Sequence, residues 1–149
     1  MEAANQMRLI IPSLSENEAL ARVTVGAFAA RLNPTLEQVS DIKTAVSEAV
    51  TNAIIHGYEG SEGNITVYAA VEGRRLTVEV IDYGKGIADI AEARQPFYTS
   101  RPDLERSGMG FTVMETLMDK VTILSQKDQG TCVRMEKEIL PPPSAGQEG

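Results

Sequence analysis

A chain of 149 residues with 42% apolar and 23% charged content has the size and make-up of one globular domain with a sizeable core. Its formal charge of −7 argues against a general nucleic-acid binder, which needs clustered Lys and Arg, and leaves room for a basic protein partner. Cys132 is the single cysteine, so a disulfide framework and a thiolate metal cluster are both excluded. No stretch approaches the ~20 apolar residues that cross a bilayer, and Met1–Asn5 lacks the basic start of a leader. The expectation is a cytoplasmic protein that engages neither membrane nor nucleic acid.

Met7–Ile11 is an apolar run closed by Pro12 and reads as an edge strand. Ser15 and Glu18 have capping-box spacing, and Leu20, Val23, Phe28 and Leu32 follow at helical intervals, predicting a helix over 15–32. Asn33-Pro34 breaks it. Thr35 and Gln38 open a second helix with another capping box. Its apolar stripe runs through Leu36, Val39, Ile42, Val46, Val50, Ala53 and Ile54, with Gly57 as a left-handed stop. Ile65–Val71 and Leu76–Ile81 alternate as strands joined around Glu72-Gly73. Residues 84–110 are punctuated by glycine without a strong period, and Phe111–Met118 reads as a helix. Val121–Ser125 and Thr131–Ile139 form a closing hairpin turned at Asp128-Gln129-Gly130. Residues 140–149 form a Pro-rich tail that cannot pack a core and is expected to be disordered. The pattern is α+β: a two-layer sandwich, helices on sheet, in one domain over 1–139.

Four short elements could carry chemistry. Glu48 and Asn52 stand four apart on the second helix and so share a face. An amide oxygen suits Mg²⁺, and a carboxylate can take a proton from an attacking hydroxyl, although such a pair on a helix more commonly faces water. Asp82-Tyr83-Gly84-Lys85-Gly86 follows a strand directly, placing an acceptor-only carboxylate beside two glycines that permit close approach and positive φ. The bland alternative is a Gly-rich turn. Arg106-Ser107-Gly108-Met109-Gly110 opens a helix and offers backbone amides and a guanidinium to an anion, with a surface pair to Glu105 as the alternative. Gly130-Thr131 closes the set, where a turn glycine and a strand threonine are the ordinary reading.

In this order the four boxes, Glu-x-x-x-Asn-Ala-x-x-His, Asp-x-Gly-x-Gly, Gly-x-Gly and Gly-Thr, resemble the ATPase/kinase superfamily of gyrase, Hsp90, histidine kinases and MutL. They span roughly residues 48 to 131. Finer matches lie at Ser15–Glu18, Ala21–Val23, Val46–Tyr58, Glu92–Pro96 and Leu104–Phe111. These resemble the sporulation serine kinases that act as anti-sigma factors, from about Met7 to Ile139.

The resemblance implies a Bergerat-type ATP-binding fold that uses ATP and Mg²⁺. Glu48 would be the general base toward a serine of an anti-anti-sigma factor, and Asn52 the Mg²⁺ ligand. Asp82 would bind the adenine amine, with Gly84 and Gly86 shaping the adenine wall. Residues 95–110 would form a lid, in which Thr99, Arg106, Ser107, Gly108, Met109 and Gly110 meet the nucleotide; Thr131 would complete the site. Arg22 would contact both the sigma factor and the anti-anti-sigma factor, and the first strand and helix would build a homodimer. Tyr83 departs from the family, where Glu often follows the aspartate, and the 59–63 loop is slightly compact. His56, the one histidine, reads as structural, because no upstream segment has room for a phospho-acceptor hairpin. Other readings stay open: a non-catalytic module gated by nucleotide, an isolated histidine-kinase catalytic domain, or a stress-response serine kinase.

Overall fold

The computed structural model describes residues 4–59, 61–86 and 110–141. Five strands make one antiparallel sheet: β1 (Ala4–Pro12), β2 (Asn64–Glu72), β3 (Arg75–Asp82), β4 (Lys120–Gln126) and β5 (Gly130–Glu138). Their order across the sheet is β1-β2-β3-β5-β4, so β1 and β4 are the edges. Three helices are described: α1 (Asn17–Ala29), α2 (Leu36–Asn52) and α3 (Gly110–Leu117). They cover one face of the sheet, giving the expected α+β two-layer sandwich.

Strand periodicity decides which side chains meet the helices. Val67, Ala69 and Val71 of β2, Leu76, Val78 and Val80 of β3, and Val133 and Met135 of β5 are all buried beneath them. From α2, Ile42, Val46, Ala49 and Val50 meet this face with almost no exposure. Each fully buried Val, Leu or Ile contributes on the order of 1.5–3 kcal/mol relative to exposure. Asp82 continues the inward phase of Leu76, Val78 and Val80, so the same alternation turns a carboxylate toward the helices. The opposite face is polar and mixed in charge. There a groove of about 390 Å³ is lined by Tyr68, Glu79, Arg134 and Glu136 among others, away from Asp82.

Several local expectations are corrected. α1 starts without the Ser15/Glu18 box: its N-cap is Glu16 in helical geometry, with no side-chain cap, because Leu14 and Ser15 carbonyls already accept the amides of Asn17 and Glu18. The helix closes at Ala29 and continues as a 3₁₀ turn, Ala30–Leu32. Its buried face is the small one, Ala21, Val25, Gly26 and Ala29, while Leu20 and Val23 are 48% and 56% exposed. Close packing on α2 explains this, since a Cβ at Gly26 would stand 2.7 Å from the Lys43 stem. On α2 the Thr35/Gln38 capping box forms as expected, but Leu36 at its start is 90% exposed, beyond the reach of the sheet. The tail beyond Pro141 lies outside the described residues.

Candidate functional site

The site assembles where β3 ends, β5 begins and α2 gives out. Asp82, the last residue of β3, is paired across the ladder with Thr131, the second residue of β5. Both are buried, at 5% and 7% exposure. The Gly84 amide donates to Asp82 Oδ1 at 3.0 Å. Burial raises the Asp82 pKa above the ordinary carboxylate value, and the backbone amides of Gly84 and Thr131 pull against that rise. The Thr131 hydroxyl is itself held by Ser125 Oγ on β4, 2.8 Å away.

Glycines let the backbones close on this carboxylate. α2 does not end in a left-handed glycine, as expected at Gly57; it widens into a π turn, Ala53–Gly57, closed by the Tyr58 amide on the Ala53 carbonyl at 3.1 Å. Gly57 is required for space: a Cβ there would lie 2.6 Å from Asp82 Cγ. The two glycines after Asp82 divide the work expected of both. Gly86 has a positive φ of 76°. Gly84 does not, but its Cβ would meet the Gly57 carbonyl oxygen at 1.9 Å. Gly130, with φ 109°, lies against the Asp82 carbonyl.

The segment after α2 is tied to the strand end at three points. The Lys85 amide donates to the Gly57 carbonyl at 3.0 Å, Lys85 Nζ pairs with Glu59 at 3.3 Å, and the Tyr83 amide donates to the Tyr58 hydroxyl at 2.9 Å. Tyr58 and the packing role of Gly57 were missed in the sequence. Their partners at the end of β3, Asp82 and Tyr83, lie 25 residues away, and no local pattern announces them.

Asn52 is the last residue of α2 and is 8% exposed. Gly110 of α3 lies directly on it: a Cβ there would stand 2.9 Å from Nδ2 and 3.0 Å from Oδ1. Glu48, one turn earlier on the same face, is half-buried. Thus Asp82, Gly84 and Thr131 come together, Gly86 packs instead against Gln126 and Lys127 at the end of β4, and Asn52 meets Gly110 at the other end of the π turn. Arg22 stands apart on α1, its guanidinium 3.4 Å from Glu18 of its own helix. Thr99, Arg106, Ser107, Gly108 and Met109 lie outside the described residues, as does all of the 95–110 lid except Gly110.

The donor set fits a magnesium nucleotide. Asp82 is acceptor-only and narrowly enclosed, which suits an exocyclic amine; Asn52 and Glu48 offer hard oxygens. Among the described residues no group of three His, Cys, Asp or Glu could hold a metal, and Mg²⁺ with phosphates commonly needs only one or two protein oxygens. No helix of the described residues is long and apolar enough to cross a membrane.

Residues 11–137 match the histidine kinase-like ATPase domain family. The chain is 58% identical over 135 residues to the anti-sigma F factor of Clostridium acetobutylicum, covering 91% of this chain and 94% of that one. With the anti-sigma F factor of Thermoanaerobacter sp. (strain X514) the identity is 57% over 139 residues, covering 93% and 97%. The chain belongs to the anti-sigma F factor family, within the histidine kinase-like ATPases. The catalytic domain of the histidine kinase ThkA shares the fold, with a TM-score of 0.55 at 15% identity over 91% of this chain and 96% of that one. Membership of this family agrees with the two-layer sandwich, with helices on one sheet face.

Proposed function

We propose that the chain is an ATP-dependent protein serine kinase that also binds and inhibits a sporulation sigma factor, and that its phosphoryl acceptor is a serine of an anti-anti-sigma factor. One observation carries the reading: Asp82, buried at 5% and held by the Gly84 amide, sits one π turn from the Glu48–Asn52 face, in a chain 58% identical to a protein named anti-sigma F factor. In this reading Asp82 accepts from the adenine amine while Gly57, Gly84 and Gly130 keep the wall close. Asn52 would hold Mg²⁺ through its amide oxygen, and the metal would supply neutralisation of charge on the phosphoryl group. Glu48, one turn back, takes the proton of the serine hydroxyl. Thr99, Arg106, Ser107, Gly108, Met109 and Gly110 would contact the nucleotide, and Arg22 would meet both protein partners.

The domain runs to Ile139 and works in the cytoplasm as a homodimer. Exposed Ile10 on β1, Leu14 in the loop that follows, and Leu20 and Val23 on α1 support that assembly, as apolar surface on neighbouring elements. The test is incubation with labelled ATP, Mg²⁺ and the anti-anti-sigma partner. Label on a partner serine with wild-type protein, and none with Glu48→Ala, is the expected result. Nucleotide-dependent binding without any labelled serine would replace the kinase with a nucleotide-gated binding module.

A further inference from the structure

The Tyr58 phenol stands where two segments distant in sequence cross. Its hydroxyl donates to the Asn64 carbonyl, at the start of β2, and accepts the Tyr83 amide at 2.9 Å. Tyr83 lies between Asp82 and Gly84, whose own amide holds Asp82 Oδ1. The ring is seated firmly. A Cβ at Gly63 would come within 2.3 Å of it, and Gly63 is pinned in turn, its carbonyl accepting the Ser13 amide at 2.8 Å and its amide donating to Ser13 Oγ at 3.0 Å. Burial raises the Tyr58 pKa, so the phenol keeps its proton and remains a donor to Asn64, with a lone pair left for Tyr83. A phenylalanine would fill the same volume. The oxygen therefore serves the Asn64 carbonyl at the start of β2 and the Tyr83 amide beyond the end of β3.

We propose that Tyr58 is a positioning residue for nucleobase selection: by holding the Tyr83 amide, its hydroxyl sets the Asp82 carboxylate where it accepts from an exocyclic amine and repels a carbonyl oxygen. The inference rests on the reading of Asp82 as the adenine contact. Adenine presents an amine at the edge where guanine presents a carbonyl, so a fixed carboxylate discriminates between them and a shifting one does not.

The experiment is titration of ATP and GTP against wild type, Tyr58→Phe, Gly63→Ala and Asp82→Asn, with thermal midpoints measured without nucleotide. Tyr58→Phe is expected to weaken ATP about five- to tenfold, the scale of one backbone amide losing its partner. GTP should change by less than about twofold, so the ATP preference falls with the ATP affinity. Gly63→Ala keeps the hydroxyl but displaces the ring, and should reproduce that fall. Equal weakening of both nucleotides would reduce Tyr58 to a structural role and overturn the inference. A preference that collapses in Asp82→Asn but persists in Tyr58→Phe and Gly63→Ala would overturn it while leaving the adenine reading intact. A preference unchanged in Asp82→Asn would overturn the adenine reading itself. Should Tyr58→Phe not fold, Gly63→Ala decides by the same ratio.

Discussion

The Asp82 carboxylate fills the space that a side chain at Gly57 would need: a Cβ there would stand 2.7 and 2.8 Å from its two oxygens. The π turn thus ends directly on the carboxylate, and Gly84 beyond it touches the Gly57 carbonyl in turn. Helix end and strand end are mutually shaped, and a change on either side reaches the other.

Alanine at the two glycines should therefore act differently. Gly84→Ala drives a methyl into backbone, 1.9 Å from the Gly57 oxygen, and neither segment can yield without moving an element. We expect a loss of about 1–3 kcal/mol, typical of overpacking, together with loss of nucleotide binding. Gly57→Ala meets the Asp82 side chain and not backbone, so it should cost less stability while still displacing the carboxylate. Denaturant midpoints paired with nucleotide titrations separate the two; equal destabilisation by both would contradict the contact.

Asp82 should make stability and binding respond oppositely to pH. Its folded pKa is raised, by burial above all, so the native state keeps a proton that the unfolded chain has lost. Stability from this group is full below the ordinary carboxylate range and declines as pH climbs through the raised folded value. Asp82→Asn removes that decline. Without nucleotide it should melt higher than wild type at pH 7, and the gap should narrow on acidification. Nucleotide affinity of the wild type should fall as pH drops through the same raised pKa, because amine recognition needs the ionised carboxylate. Melting curves and titrations over pH 4–8 check both signs, and affinity flat across that range would contradict the second.

Gly110→Ala tests the contact between α3 and the end of α2. The added methyl would lie 2.9 Å from Asn52 Nδ2, so the amide must turn or shift. Displacement of a positioning group by about 1 Å can cost roughly a hundredfold in rate, so with Asn52 in its proposed metal-holding role the proposed phosphoryl transfer should fall by about ten- to a hundredfold. Steady-state transfer measured over a Mg²⁺ titration reads this out, and an unchanged rate would release Asn52 from its role.

Thr35→Ala provides a contrast at the far end of α2. It removes the hydroxyl that accepts the Gln38 amide at 3.1 Å. The expected cost is about 1 kcal/mol of stability, or roughly 2–4 °C in melting temperature for a chain of this size. ATP affinity should not move, and a change there would mean that α2 transmits strain along its length.

Much of this architecture was legible in the residues. Strand alternation placed Leu76, Val78 and Val80 inward, and the Thr35/Gln38 box started α2 where it does start. Burial on the helices was less legible. Leu20, Val23 and Leu36 have the hydropathy of core residues yet stand exposed, because which stripe of a helix is covered depends on how closely its neighbours approach. Gly26 lets α1 come close to α2, and the small residues around it take the buried face.

The sequence by itself determined the chemistry available: a carboxylate closing a strand, Glu48 and Asn52 on one helix face, and glycines at fixed intervals. Period and composition are local properties, and they survive without knowledge of the fold. Only the tertiary structure decided what those groups touch. It made Gly57 a contact of Asp82 instead of a helix stop, and brought Gly110 onto Asn52. It also joined the Tyr58 phenol to the Tyr83 amide. These contacts join residues 25 or more positions apart, and they depend on sheet order and on a π turn whose extra residue no propensity announces.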